Sequence, residues 1–419
     1  MAITLVTRPQ LVMPVYNPMY FRPSSTNVAQ DNFNFLYDIY TGTTGTTTIN
    51  NERLPVYPDG LGQFSPAGIL ESILTYDLPF NITGGTTQTN TLTRYYVYFG
   101  EQYGSLTTGV TSYRNLAWAS GYTFTSVLNY DEVPSWQYSA YTLSDSTKKF
   151  LTKSPSTIYI RDNDRETLSY LNIPSGDTGN VANKIGKAVL ITTYQKSGGT
   201  TINFIYVPTS TGNTINAKLM HFGSGIWNLN NAPASLFTFG VGQPGNVVNV
   251  DRDYKYEVSV WAADSPVAID IPISETKTYY IDDTCTKYQP VRLTWLNSYG
   301  GWDYYNFILV SRNTFNVTRN TYKRNLNYNY TVGNVGFIVG DIQARESTQV
   351  TSDWLGDQQS QWMKELLKSK AVYELRSDGS YLPIILDASS VEIKKTVNDK
   401  LINYEFGYTY AFKVGTMRG

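Results

Sequence analysis

Apolar and polar residues alternate in many short stretches of this chain, and this period of two predicts β-strands. The segment Phe33–Ile39 alternates cleanly. Val12–Tyr20 predicts an edge strand, because Pro14 and Pro18 cannot donate hydrogen bonds to an interior ladder. The spacing of the predicted strands indicates an immunoglobulin-like or fibronectin-like β-sandwich over residues 1–105. Its further predicted elements are the strands Arg53–Tyr57 and Leu92–Phe99 and a short helix at Pro66–Leu74.

The periodicity weakens between residues 106 and 154, where Gly, Ser, Thr and Tyr dominate. This composition predicts an irregular connector with one or two strands around Tyr122–Tyr130. Strand signals then resume at a spacing of about ten residues, which predicts a second β-sandwich over residues 155–284. The predicted strands are Thr157–Ile160, Thr167–Ile173, Ala188–Tyr194, Thr201–Val207, Phe237–Val241, Val247–Val250, Tyr254–Trp261 and Lys277–Ile281.

Residues 285–419 predict a C-terminal β-domain with one helix. The helix is predicted over Asp357–Ser369, because Trp362, Met363, Leu366 and Leu367 form one apolar stripe at helical spacing, and Asp357 is the predicted N-cap. Strict alternation over Ile402–Val414 predicts a thirteen-residue strand whose apolar face must be covered. Two hairpins are predicted, Arg292–Leu296 with Tyr304–Val310 and Ala371–Arg376 with Tyr381–Leu386.

Composition narrows the range of functions. The 33 Lys and Arg residues and 34 Asp and Glu residues give a net charge of −1, which argues against a general phosphate-binding surface. His221 and Cys285 are the only histidine and cysteine, so His/Cys zinc sites, Cys–His pairs, Ser–His–Asp triads and intrachain disulfides are not expected. We expect no secretory signal at Met1–Pro9 and no membrane-spanning segment.

Several motifs resemble functional sites but have simpler explanations. Gly240–Gly245 matches the dinucleotide fingerprint, yet Pro244 and a strand-like continuation predict a glycine-rich turn. Arg161–Glu166 carries carboxylates at the spacing of calcium loops, without the glycine and the bidentate glutamate that follow in an EF-hand. We interpret it, like Asp282-Asp283, as a solvated polar loop. His221 is expected to be a satisfied or surface residue, and Cys285 a buried inert thiol.

Two aromatic clusters allow two interpretations. Trp118, Tyr122, Phe124 and Trp136 lie in the predicted connector, and Trp295, Trp302, Tyr304, Tyr305 and Phe307 lie in one predicted hairpin. Exposed Trp and Tyr faces would suit carbohydrate binding. Alternating aromatic residues on strands more commonly fill a core on one face and a subunit contact on the other, and this second interpretation is favoured.

Several stretches together resemble virion structural proteins of tailed bacteriophages of Bacteroidota, crAss-like phages included. The resemblance covers about the first hundred residues and most of residues 285–419. The stretches are Val15-Tyr16-Asn17-Pro18, 31–38, Pro58-Asp59-Gly60 with Phe64, 292–297, 300–307, 352–355, 362–369, Val372-Tyr373 and 397–402. The resemblance implies a tail or neck component: a ring, hub or baseplate subunit.

The resulting expectation is a non-enzymatic subunit of the virion, assembled in the bacterial host cytoplasm. It would form a ring of six or twelve copies around the DNA channel and contact other tail or neck proteins. DNA would only pass through the channel, without sequence-specific binding. The sequence assigns no catalytic, cofactor-binding, metal-binding or interface residue. A receptor-binding or carbohydrate-binding adhesin is the first alternative, and a virion-borne glycan hydrolase with two carboxylates is the second.

Overall fold

The computed structural model describes residues 3–41, 47–105, 107, 109–172, 186–206, 218–238, 247–265, 268–334, 336–387 and 403–412. The protein is mainly β and contains several sheets, which confirms the predicted fold class at this level. The chain divides into two compact units. Unit 1 comprises Met1–Asp283 and Asn297–Trp302, and unit 2 comprises Thr284–Leu296 and Asp303–Gly419. Both predicted sandwich regions, 1–105 and 155–284, belong almost entirely to unit 1.

The elements up to residue 283 are mostly strands, with two five-residue helices, one of which lies inside the predicted Pro66–Leu74 helix. Short 3₁₀ turns occupy Val133–Ser135, Tyr138–Ala140 and Ala234–Leu236. The strands and helices are β1 (Thr4–Thr7), β2 (Val12–Pro14), β3 (Arg22–Ser24), β4 (Asn34–Thr41), β5 (Thr47–Pro55), α1 (Ala67–Glu71), β6 (Gly85–Gln88), β7 (Leu92–Ser105), β8 (Gly109–Phe124), β9 (Thr157–Ile160), β10 (Thr167–Asn172), β11 (Gly186–Gln195), β12 (Thr200–Tyr206), β13 (Lys218–Gly223), α2 (Ile226–Asn230), β14 (Phe237–Thr238), β15 (Asp253–Ser265), β16 (Ala268–Pro272) and β17 (Lys277–Ile281).

These strands form four sheets. One has the order β2-β8-β7-β4-β5, one β10-β13-β6, one β14-β12-β11-β15-β17-β9 with β16 beside β15, and one pairs β1 with β3. The β2–β8 and β9–β17 pairs are parallel. Alternation explains the core, because every second side chain of a strand faces the same side. Tyr37, Val97 and Phe99 are buried on the five-stranded sheet, and Tyr256 and Val258 are buried on the largest sheet.

Unit 2 is built on one seven-stranded sheet with the order β19-β18-β22-β23-β24-β21-β20. The predicted helix is confirmed, and its apolar stripe packs in one core with Trp295, Val350 and Phe406. The elements are β18 (Val291–Leu296), β19 (Trp302–Phe307), β20 (Arg312–Lys323), β21 (Phe337–Thr351), α3 (Asp357–Lys368), β22 (Val372–Leu375), β23 (Tyr381–Leu386) and β24 (Glu405–Tyr410). Both predicted hairpins are present, with Gly379 at a positive φ of 85° in the Asp-Gly turn.

Two predictions at helix and strand ends are wrong. Gly356, not Asp357, is the N-cap of α3, and its backbone N–H donates to Oε1 of Gln359 over 3.2 Å. The C-terminal strand is β24, only six residues long, because the ladders to β21 and β23 extend no further than Glu405–Tyr410. Residues 402, 413 and 414 of the predicted strand lie outside the described residues. β24 lies inside the sheet, where both edges are paired.

Two predictions in unit 1 are also wrong. The predicted connector begins with the sixteen-residue strand β8, which pairs with β7. Many β8 side chains are exposed, so the strand lacks the alternation by which it could be recognised. The predicted strand Val247–Val250 is a buried loop. The Asn230 side chain holds it, accepting the Val248 N–H over 3.0 Å and donating to the Val248 carbonyl over 2.8 Å.

Candidate interaction surface

The motifs that resembled catalytic or ligand sites are structural where they are described. Gly240–Gly245 lies outside the described residues. Arg161–Glu166 forms a turn in which Oδ2 of Asp164 accepts the Arg161 N–H over 2.9 Å. The Arg161 guanidinium donates to Oδ2 of Asp282 over 2.8 Å, and Lys196 Nζ donates to Oδ2 of Asp283 over 2.7 Å. No group of three or more His, Cys, Asp or Glu suited to a metal ion occurs among the described residues.

The single histidine and the single cysteine differ in exposure. His221 is fully buried in β13, and its Nδ1 lies 2.7 Å from Oγ of Ser169 on the paired strand β10. Burial lowers the pKa of His221 to about 4, against smaller opposing effects of the Asp77 charge and the Met220 backbone. Cys285 is exposed, so the expected buried thiol is wrong. It follows β17 in a segment without regular structure, where no core covers it.

Most residues of the two aromatic clusters belong to the hydrophobic core. Trp295, Trp302, Tyr304 and Phe307 are all buried, as are Tyr122, Phe124 and Trp136. Trp118 differs, because 59% of its surface is exposed on the outer face of the five-stranded sheet. It lies among three half-buried tyrosines on the same face. The Tyr98 and Trp118 rings are 6.4 Å apart, those of Tyr96 and Trp118 6.3 Å, and those of Tyr40 and Tyr98 5.0 Å. We call these four residues the aromatic strip.

A second group of surface rings crosses the largest sheet of unit 1. Tyr159 of β9, Tyr280 of β17, Tyr254 of β15 and Tyr194 of β11 form a line with successive centroid distances of 5.9, 6.5 and 6.5 Å. We call this line the tyrosine row. Tyr159 is 65% exposed and Tyr254 41%. The Tyr194 hydroxyl donates to Oε2 of Glu257 over 2.8 Å, and this hydrogen bond raises the pKa of Tyr194.

Charged turns border the tyrosine row, because a charged residue lies two positions from each tyrosine, just beyond the end of its strand and at the same end of the sheet. Arg161–Asp282 and Lys196–Asp283 ion pairs connect these turns, and Lys196 Nζ also donates to the Val250 carbonyl over 3.2 Å. We call this border the acidic rim, since its six carboxylates against three cations give a net charge of −3. Its members are Arg161, Asp162, Asp164, Lys196, Asp251, Arg252, Asp253, Asp282 and Asp283.

Unit 2 carries a long two-stranded ribbon that sequence analysis did not predict. β20 pairs with β21 from Arg312↔Gln349 to Lys323↔Phe337, whereas β24 pairs with β21 only at Ser347–Thr351. The nine pairs beyond this point have no third strand among the described residues, and they span about 30 Å at 3.3 Å per residue. We call this part, with the loop 324–336, the ribbon. Isolated two-stranded hairpins are marginal in water, so such a ribbon needs a partner.

The two faces of the ribbon differ in chemistry. Residues opposite each other in an antiparallel pair share a face, and the bulge at Gly340 restores the same alternation beyond it. Asn, Thr, Gln and charged side chains dominate one face. The other is largely apolar, and Phe315 and Phe337 on it are 59% and 65% exposed. This apolar face comprises Phe315, Val317, Phe337, Val339, Ile342 and Ala344, together with Arg319, Thr321, Lys323 and Glu346.

The apolar face of the ribbon continues the side of the sheet that is buried in the unit 2 core. Ile342, Ala344 and Val350 alternate along β21 on this same side, and Val350 is fully buried in the core that α3 covers. The ribbon, residues 315–346, carries four cations and two carboxylates, a net charge of +2. The ribbon is therefore a basic element whose apolar face is exposed among the described residues, as expected of a surface that binds another protein.

The comparisons with known proteins give no independent indication of function. No protein-family model matches the chain, and the search of curated proteins found no match. Within the described ranges, no helix combines the length and the hydropathy that crossing a membrane requires.

Proposed function

We propose that this chain is a non-enzymatic structural subunit of a bacteriophage tail or neck. In this proposal copies of the chain form a ring of six or twelve around the DNA channel and contact neighbouring ring, hub or fibre proteins. Its β-sheet regions would be immunoglobulin-like sandwiches, and it would reside in the virion after assembly in the host cytoplasm. The sequence resemblance supplies the virion context, and the surfaces of the two units support an assembly role.

The ribbon is the observation that carries the proposal. Its exposed Phe315 and Phe337 lie on a strand pair that no third strand supports among the described residues. An isolated monomer would gain nothing from ordering such a ribbon, whereas a subunit would bury it against a neighbour. Subunit contacts of this kind repeat in every copy of a ring.

The copy number per particle tests the proposal. Quantitative mass spectrometry of purified phage particles that encode this chain should count six or twelve copies, with an abundant capsid protein as internal standard. Absence from purified particles, or a count of one to three, would contradict a ring subunit.

The aromatic strip supports a second candidate, a carbohydrate-binding adhesin of the virion. Trp118 offers an exposed indole, and Asp38, which lies opposite Tyr98 of the strip, forms an ion pair of 2.6 Å with Arg114, whose polar atoms suit sugar hydroxyls. An adhesin should bind host surface polysaccharide in a pull-down assay and lose that binding on Trp118→Ala. Tyr130→Ala is the matched control, since Tyr130 is 95% exposed outside the strip. Absence of polysaccharide binding by the wild-type protein would eliminate this candidate.

A further inference from the structure

We propose that the ribbon of one copy docks on the tyrosine row and acidic rim of a second copy, so that neighbouring subunits contact each other head to tail. This inference rests on the proposed ring function and identifies the two surfaces that would form its repeated contact. Unit 1 of another copy of the same chain would then cover the apolar face of the ribbon.

Apolar and aromatic matching is the first argument. The ribbon presents Phe315 and Phe337 on one flat face of two strands. The tyrosine row presents four rings across four strands of a sheet, with Tyr159 and Tyr254 the most exposed. Tyrosines and phenylalanines are enriched at interfaces, and a tyrosine retains a polar hydroxyl when the complex is absent.

Charge complementarity is the second argument, and it favours the acidic rim over a second ribbon as the partner. The ribbon carries a net charge of +2, and the acidic rim carries a net charge of −3. The imbalance extends to whole units: unit 1 has 17 cations and 22 carboxylates, a net charge of −5, and unit 2 has 16 and 12, a net charge of +4. Two ribbons would repel each other, whereas a ribbon and an acidic rim attract.

The geometry of such a contact explains why it would repeat. Donor and acceptor surfaces are different parts of the molecule, so the contact is heterologous and every docked copy still presents a free ribbon or a free acceptor. Heterologous contacts close into rings when the rotation between copies allows it. A symmetric ribbon-to-ribbon pair would instead stop at two copies.

The size of the ribbon sets the expected affinity. A face about 30 Å long and about 10 Å wide, the width of two strands, is smaller than the roughly 800 Å² per partner of a standard interface. We therefore expect a dissociation constant in the micromolar range for one contact. Sedimentation velocity of the full-length protein up to about 200 μM, at low and high salt, covers this range.

Three double variants separate the two surfaces. The donor variant is Phe337→Ser with Lys323→Glu, on the apolar face of the ribbon. The acceptor variant is Tyr159→Ser with Asp251→Lys, on the tyrosine row and the acidic rim. All four side chains are exposed, so the variants should fold. The matched control is Tyr322→Ser with Arg345→Glu, an equivalent change on the opposite face of the ribbon.

We expect wild-type protein to self-associate at low salt and to dissociate as salt is raised, since salt screens the charged contact. The donor and acceptor variants should each weaken self-association at least about 30-fold, as loss of a buried aromatic anchor does. The control variant should differ from wild type by less than about threefold. Mixing the two defective variants should restore a one-to-one dimer, because each retains the half that the other lacks.

Several results would overturn the inference. They are a wild-type monomer at about 200 μM and low salt, a control variant as defective as the donor variant, and two defective variants that fail to combine. Circular dichroism of each variant verifies folding before these comparisons. None of these results changes the copy number in purified particles, so failure of the head-to-tail contact is distinguishable from failure of the proposed function.

Discussion

The buried imidazole of His221 should make the stability of unit 1 depend on pH above the range in which carboxylates titrate. His221 is fully buried, and its Nε2 atom has no hydrogen-bond partner among the described residues. Adding a proton would place a charge in this buried site without water to solvate it. Burial accordingly lowers its pKa from 6.5 to about 4.

The magnitude follows from the two pKa values. A histidine whose folded-state pKa is depressed stabilises the fold fully above the unfolded pKa of 6.5, and the contribution is lost as the pH falls toward 4. Between pH 8 and pH 5 the linkage relation gives a loss of about 2 kcal/mol in the free energy of unfolding. Ordinary Asp and Glu side chains contribute little above pH 5, since their pKa values lie near 4.

The chain contains one histidine, so a single resonance reports on it. Protein labelled with ¹³C at the imidazole Cε1 should keep the chemical shift of a neutral ring from pH 8 down to about pH 5. Urea unfolding of the wild type should show the loss of about 2 kcal/mol over this range. His221→Gln should show a flatter dependence, whatever its absolute stability. A resonance that titrates with a midpoint near 6.5 in the folded protein would refute this reasoning.

Three further predictions concern other parts of the chain. Cys285 is exposed, so one thiol per chain should react with Ellman's reagent in the native protein as fast as after denaturation; slow native reaction would contradict its exposure. Replacing residues 316–345 of the ribbon by an Asn-Gly turn should change the midpoint of thermal unfolding by less than about 3 °C, because the ribbon contributes nothing to the core. A larger drop in the midpoint would show that the ribbon stabilises the fold. Trp362→Phe should destabilise unit 2 by about 1.5–3 kcal/mol in urea unfolding, since the Nε1–H of Trp362 donates to the buried Asp303 carboxylate over 2.7 Å. An unchanged urea midpoint would contradict a stabilising role for this hydrogen bond.

The sequence predicts best those elements whose burial is one-sided. The helix over Asp357–Lys368 and the hairpin of β22 and β23 carry a clear apolar stripe or an Asp-Gly turn, and both form as expected. The last strand is shorter than its alternation predicts, because the alternation runs over Ile402–Val414 while the ladders to the partner strands end at Tyr410. Alternation indicates which side chains face the core, but the length of a strand depends on how far the neighbouring strands pair with it.

The surfaces that carry the proposals could not be predicted in the same way. β20 is exposed on almost every residue, so its Asn and Thr positions hide the alternation, although its β-branched and aromatic residues indicate a strand. The tyrosine row depends on cross-strand register. Tyr159 and Tyr194 are far apart in sequence. They belong to the same line of rings only because β9, β17, β15 and β11 pair side by side in the sheet.

A symmetry-resolved reconstruction of the phage particle tests the central claim most directly. We expect a ring of six or twelve copies of this chain around the channel, with the apolar face of each ribbon, including Phe337, covered by the tyrosine row of the next copy. A particle in which this chain occurs in one to three copies, or in which it projects outward with the ribbon bare and the aromatic strip at a distal tip, would contradict it.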